Sequence, residues 1–216
     1  PTFTGTAEPG ANVYLYRSSS LQVGSGIASG AGIWSVTAST LPDGTHSITA
    51  KSDDSFGNES VSSGTLVIVL DATPASAPSS LDMTSESDTG NTFAQSNDNT
   101  TSITHPIVTG TADPGSKIQI FDAGVLIATH TMGSTGTFWS VELPDLAEGV
   151  HSITAKAIDP AENVSSASSP LSITIDTTSP SSPSKPDLDS ADDTGSSNTD
   201  NETSKTDLTF SGTAPS

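Results

Sequence analysis

Two acidic stretches, Leu81 to Asp98 and Leu188 to Asp200, hold the residues best able to do chemistry in this sequence. Both are rich in Asp, Asn, Ser and Gly and contain no Lys or Arg. Carboxylates, Asn amides and backbone carbonyls are hard oxygen donors, and Ca²⁺ takes about six to eight of them in irregular loops. Asp71, Asp82, Glu86, Asp88 and Asp98 lie in or beside the first stretch, and Asp176, Asp187, Asp189, Asp192, Asp193 and Asp200 in or beside the second. Gly90 and Gly195 would let the backbone turn its carbonyls toward an ion. A second reading of the same residues needs no ion: acidic Ser/Asn-rich linkers are often solvated, and Asp-Thr-Gly or Asp-Asn is also turn chemistry, with side chains bonding the nearby backbone.

Other chemistry-bearing residues point elsewhere. Asp-Thr-Gly at 88–90 and 193–195 is also the catalytic triplet of aspartic proteases, where two copies form a carboxylate dyad. Here Ser87 or Asp192 precedes it instead of apolar strand residues, so the pattern argues against a protease. His46 and His151 share the parity of Ile48 and Ile153, which predicts half-buried strand positions, and no second His or Cys stands at metal-ligand spacing. His105 and His130 are expected at the surface. Trp34 and Trp139 alternate with Val36 and Val141 and belong to a core row. Tyr14, Tyr16 and Phe121 project from the opposite face, either as a carbohydrate-contacting patch or as cover for a neighbouring strand. No catalytic residue is proposed.

The elements that must position these residues form an internal repeat. Thr4-Gly5-Thr6-Ala7-Glu8-Pro9-Gly10 returns as Thr109-Gly110-Thr111-Ala112-Asp113-Pro114-Gly115, and the same offset of 105 relates Trp34 to Trp139, His46 to His151 and Asp71 to Asp176. A further copy begins at Ser211-Gly212-Thr213-Ala214. Within a repeat, apolar residues alternate with polar ones at period two: Val13 with Leu15, Ile118 with Ile120, Trp34 with Val36, Ile48 with Ala50, and Leu66 with Ile68 and Leu70. Such rows predict strands with one buried face. Turn signals separate them, among them Glu8-Pro9-Gly10, Pro42-Asp43-Gly44, Phe56-Gly57-Asn58 and Asp122-Ala123-Gly124. About seven short strands per roughly 100 residues predict an all-β chain of tandem immunoglobulin-like sandwiches joined end to end, without the cysteine pair. Repeat 1, truncated at its N-terminal side, is expected over residues 1–74; residues 75–179 hold a linker, an acidic entry segment and a complete repeat 2; residues 180–216 hold a linker and the start of a truncated third repeat.

A tandem array brings the chain in at one pole and out at the other, which requires an odd number of antiparallel strands. The last hairpin loop then lies at the entry pole. That loop carries Asp54 and Asn58 in the first repeat and Asp159 and Asn163 in the second. Asp159 and Asn163 are therefore expected to meet Asp71, Asp82 and Asp88 at the joint. The predicted calcium ligands are Asp71, Asp82, Asp88, Asp98, Asp159, Asn163, Asp176, Asp189, Asp193 and Asp200.

Composition narrows the partners. The formal charge of −19, from 25 acidic and 6 basic residues, would repel nucleic acid and anionic membrane surfaces. Cysteine is absent, so neither disulfides nor thiolate chemistry contributes. Hydrophobic content of 31% and aromatic content of 5% suit small sandwiches with thin cores. No apolar run approaches the roughly 18 residues that span a bilayer. No signal peptide is visible, because Pro1 already sits in repeat sequence, and the chain reads as a piece of a longer protein.

Gly-Thr-Ala-Glu-Pro-Gly at 5–10, Gly-x-Trp-Ser-Val at 32–36, Asp-Gly-Thr-His-Ser-Ile-Thr-Ala at 43–50 and the Ser-Asp-Thr-Gly and Asp-Asn segments resemble the bacterial immunoglobulin-like repeats of giant Gram-negative surface adhesins. The resemblance covers essentially the whole chain. It implies an extracellular stalk, secreted by a type I system or otherwise held at the cell surface, stiffened by calcium and serving adhesion or biofilm formation. The partners it implies are calcium ions and the adjacent repeats of the same chain, with any host or surface ligand contacted by domains outside these residues. Two alternatives remain open at this point: repeats that themselves bind carbohydrate or protein, and accessory domains of a secreted hydrolase.

Overall fold

The computed structural model describes residues 1–18, 20–89 and 98–214. Its strands, in chain order, are β1 (Thr2–Thr6), β2 (Asn12–Arg17), β3 (Leu21–Ile27), β4 (Ile33–Thr37), β5 (Gly44–Asp53), β6 (Leu66–Leu70), β7 (Ser79–Met83), β8 (Thr100–Thr101), β9 (Ile107–Thr111), β10 (Lys117–Asp122), β11 (Val125–Thr131), β12 (Phe138–Glu142), β13 (Gly149–Ile158), β14 (Leu171–Ile175), β15 (Asp187–Leu188) and β16 (Phe210–Ser211). The protein is all-β, with no helix among the described residues. Two compact units partition the chain: Pro1–Leu81 with Gly110–Trp139 and Thr154–Ser169, and Asp82–Thr109 with Ser140–Ile153 and Pro170–Ser216.

In the first repeat, β1 pairs with β4, and a four-stranded antiparallel sheet runs β3-β2-β5-β6. The core lies between these sheets, where Phe3, Trp34 and Val36 meet Val13, Leu15, Val23 and Ile48. Period two is the cause, because each strand sends alternate side chains to one face. The second repeat carries a five-stranded sheet, β11-β10-β13-β14-β8, and a three-stranded one, β12-β9-β7. Ile118 and Ile120 of β10 are buried there like Val13 and Leu15 of β2. A register shift interrupts β2 after Leu15 and β10 after Ile120, so even the irregularity repeats.

The Gly-Thr-Ala motif has a packing cause. A Cβ on Gly5 would stand 2.5 Å from Trp34 Cζ2, and one on Gly110 2.5 Å from Trp139 Cζ2. Only a residue without a side chain lets the indole lie against the strand there. His46 and His151 hold the turn before β5 and β13: His46 Nε2 lies 2.7 Å from Pro42 O, and His151 Nε2 lies 2.9 Å from Ala147 O. His46 is buried, deeper than its half-buried expectation, because the ring closes over that turn. His105 is exposed as expected, whereas His130 is half-buried in β11.

One row is covered in the second repeat and not in the first, whose positions matching β8 at the 105 offset fall before Pro1. Leu171, Ile173 and Ile175 of β14 are buried, yet their counterparts in β6 are not: Leu66 is 53% exposed against 8% for Leu171. Ile68 and Leu70 still pack on the core, partly covered. In the second repeat β8 runs parallel to β14, with Thr100 opposite Thr174 and Thr101 opposite Ile175. The sheet of the first repeat ends at β6.

Each repeat also pins the chain where it leaves the last strand. Asp43 accepts from Ala72 N at 3.0 Å and from Thr73 Oγ1 at 2.6 Å. Glu148, its counterpart, accepts from Thr177 N at 3.0 Å, Thr177 Oγ1 at 2.7 Å and Thr178 Oγ1 at 3.1 Å. The threonine hydroxyls, followed by the backbone N–H groups, hold both carboxyls below the usual carboxylate range. A depressed folded pKa stabilises the fold above the unfolded value and loses that effect as pH falls through the folded one. Melting temperature should therefore drop below about pH 4, and Asp43→Asn with Glu148→Gln should flatten that slope. Thermal melts between pH 7 and pH 2.5 measure it; identical slopes for the variant and the parent would remove the clamp from the account.

Candidate metal centre

The described part of the first acidic stretch, with Asn99 beyond it, is arranged around Asp88. Ser87 N and Asp88 N both donate to Thr84 O at 2.9 Å, closing a turn, and Thr84 N in turn donates to Ile107 O at 3.0 Å. Ser87 Oγ accepts from Ile107 N at 2.9 Å. Asp88 is 5% exposed. Its Oδ2 accepts from Asn99 N at 3.1 Å, while its Oδ1 is buried with no hydrogen-bond partner among the described residues.

The second stretch repeats this cage around Asp193. Asp192 N and Asp193 N donate to Asp189 O at 2.8 and 3.0 Å, and Asp189 N donates to Thr209 O at 2.9 Å. Asp192 Oδ2 accepts from Thr209 N at 2.8 Å, the role that Ser87 plays in the first copy. Asp193 is 6% exposed; its Oδ2 accepts from Asn201 N at 3.1 Å and its Oδ1 is again orphaned. Asn99 and Asn201 share a left-handed backbone, with φ of 61° and 62°, a conformation Asn tolerates better than most residues. Asp88 and Asn99 are eleven positions apart and Asp193 and Asn201 only eight, yet the bond is the same. Selection by geometry over a changed loop length marks a built arrangement.

A buried oxygen without a partner costs about 1–3 kcal/mol, and more when it carries charge. A proton or a cation removes that cost. Asp200 lies near Asp193. Glu202 N–H holds the Asp200 carboxyl below its usual range, against desolvation, with Ser196, Asp193 and Ser197 adding to the lowering. Gly195 is required by this approach: a Cβ there would meet Asp200 Oδ1 and Glu202 Cβ at 3.0 Å. Gly90, its counterpart, lies outside the described residues.

The remaining predicted ligands are engaged in local turns. One oxygen of Asp71 caps Thr73 N, of Asp82 Met83 N, of Asp98 Thr100 N, of Asp176 Thr178 N and of Asp189 Ala191 N. Asp159 accepts from Ala161 N and Asn163 N through Oδ1 and from Asn163 Nδ2 through Oδ2. The Asn163 amide side chain dominates the lowering of its pKa. Asn163 Nδ2 also donates to Asp71 O at 3.0 Å, so this loop does reach Asp71, through an amide nitrogen and a carbonyl. Among the described residues no three His, Cys, Asp or Glu side chains gather closely enough to hold a metal ion. The donor set fits Ca²⁺ in type, through an orphaned carboxylate oxygen in each copy, only if backbone carbonyls, hydroxyls or Asn oxygens complete the shell. Asn99 and Asn201 are the site residues that the spacing of acidic side chains passed over. Their signal was the recurrence of Asp98-Asn99 as Asp200-Asn201.

The outer-face aromatics are tied to their neighbours. Tyr14 OH donates to Asp53 Oδ2 at 3.1 Å, and Lys156 Nζ lies 5.8 Å from the centroid of the Phe121 ring.

The family model described as a bacterial Ig-like domain matches residues 1–72 and again 74–177. Among curated proteins no sequence matches. Among solved structures, a biofilm-associated protein BSP domain is 17% identical with a TM-score of 0.33, over 82% of this chain and 28% of that one. The fibronectin(III)-like modules of Clostridium thermocellum CbhA are 13% identical with a TM-score of 0.44, over 81% of this chain and 85% of that one. The D0-D1 domain of intimin is 15% identical with a TM-score of 0.27, over 80% and 89%.

Proposed function

Because the chain belongs to the bacterial Ig-like domain family, we propose that it serves as a calcium-stiffened extender in a large bacterial surface adhesin. In this reading it lies outside the cell, performs no catalysis, and projects a distal ligand-binding domain for adhesion or biofilm formation. The carrying observation is the orphaned, buried Oδ1 of Asp88 and its exact recurrence in kind at Asp193. Bound Ca²⁺ would supply the positive charge these oxygens lack. Asp88 and Asp193 supply one oxygen each, Asp200 a second carboxylate beside Asp193, and Asn99 and Asn201 hold the aspartates by their backbone N–H groups. With the charge neutralised, each acidic entry segment is held against its own repeat; without it, mutual repulsion among carboxylates loosens the segment. The −19 charge on the chain makes that repulsion general.

Small-angle scattering of the whole chain tests this reading. With about 1–10 mM calcium, above the range of about 10⁻⁴–10⁻³ M typical of extracellular modules, the maximum dimension should settle to one value and flexibility should fall. Addition of chelator should reverse both. Scattering curves that superimpose under the two conditions would dismiss calcium stiffening.

A further inference from the structure

The loop that follows β13 begins with a cradle over residues 159–163. Asp159 N donates to Asn163 O at 3.1 Å and Glu162 N to Asp159 O at 3.0 Å, while Asp159 Oδ1 accepts from Ala161 N and Asn163 N. Asp54 and Asn58 build the same cradle after β5, bond for bond, including the side-chain amide on the second carboxylate oxygen. Gly57 takes the left-handed turn of that loop at φ 82°, and Glu162 takes it at φ 68°. A glutamate is strained there and a glycine is not, so the shape of the cradle holds even where the residue resists it.

The cradle aims the Asn163 amide. Its Nδ2 lies 3.0 Å from Asp159 Oδ2 and 3.0 Å from Asp71 O. Both neighbours only accept, so the nitrogen must face them, one N–H to each. Asp71 O is held just as firmly from the other side. Asp71 Oδ1 caps Thr73 N, and Asp43 binds Ala72 N and Thr73 Oγ1, which fixes the chain as it leaves β6. Asp176 and Glu148 repeat that exit in the second repeat. Asp71 and Asn163 belong to one compact unit, although they come from successive repeats.

We infer that the Asn163 side chain and the Asp71 carbonyl form an ion-free latch between successive repeats, a rigid donor on one repeat meeting a clamped main-chain acceptor on the other. The latch goes beyond calcium stiffening and does not depend on it, because neither partner carries charge and no ion is needed between them. Order built into both halves beforehand lowers the cost of closing it. One neutral bond of this kind shifts an equilibrium by about two- to tenfold, which favours one arrangement of the joint and leaves it releasable.

The test uses the full chain in chelator, with ¹⁵N relaxation reporting how each repeat tumbles. In the parent the two repeats should tumble slowly and together. Asn163→Asp keeps the shape of the side chain but sets a carboxylate against Asp159 Oδ2 and Asp71 O, so the ratio of latched to open joint should fall at least about twofold and both repeats should tumble faster. Asn58→Asp does the same damage to the cradle of the first repeat and should tumble as the parent does. Equal effects from the two variants, no effect from Asn163→Asp, or parent repeats that already tumble independently would overturn the latch. Since no arm contains calcium, loss of the calcium reading would leave this result standing, and loss of the latch would leave that reading untouched.

Discussion

Trp139→Ala lowers the unfolding free energy by about 3–5 kcal/mol, the range for removing a large aromatic side chain from a closed core. Trp139 is 1% exposed, and its indole lies against Gly110 with no room for a Cβ between them. The cavity left by the substitution cannot collapse easily, because the strand beneath it is held by its own ladder. Trp34→Ala should cost less in this chain, since Trp34 is 9% exposed and its repeat lacks the residues that would match β8, which fall before Pro1. Urea unfolding followed by far-UV circular dichroism compares the two in the full chain. Equal losses at the two positions would show that pairing of β8 with β14 does not matter to the packing of the tryptophans.

The second large effect concerns calcium. If the buried aspartates bind with the affinity usual for extracellular modules, 10 mM calcium is about 10–100 times the dissociation constant, which stabilises the folded chain by about 1.4–2.7 kcal/mol. For repeats of roughly 100 residues that is a rise in melting temperature of roughly 5 °C or more. The double variant Asp88→Asn with Asp193→Asn should abolish this rise. It keeps an oxygen to accept from Asn99 N and Asn201 N, so its stability without calcium should match or exceed that of the parent, a buried charge having been removed. Asp159→Asn should leave the rise intact, because both oxygens of Asp159 serve its own loop. Differential scanning calorimetry with calcium and with chelator reads all three. A double variant that still gains the full rise would move the ion away from these aspartates.

Much of the fold is legible in the residues. The rows of Val13 with Leu15 and Ile118 with Ile120 face inward because alternation forces them to, and the turns fall at the Pro-Gly and Asp-Gly signals. Leu66 shows where the rule ends: period two says which way a side chain points, and only tertiary neighbours say whether anything lies on top of it. The acidic stretches were harder to read. Most of their carboxylates cap a backbone N–H one or two residues ahead, a local use that composition alone does not separate from ligation. Asp88 and Asp193 stand apart because they are buried, and burial depends on the Asn99 and Asn201 bends, which no spacing of acidic residues announces. Asn163 reaches Asp71, as strand parity predicted for that loop, but the contact is made by an amide nitrogen and a main-chain oxygen.

The parallel pairing of β8 with β14 carries a mechanical consequence. These strands lie near the two ends of the second repeat's sequence, and they run in the same direction. Tension drawn along the polypeptide therefore pulls β8 and β14 past each other, loading the hydrogen bonds at Thr174 and Asp176 in shear so that they must fail together. An antiparallel closure would have peeled open one bond at a time. Resistance of this kind is set by the rate of unfolding under load, and it places the clasp of the repeat at the threonines that follow the acidic stretch.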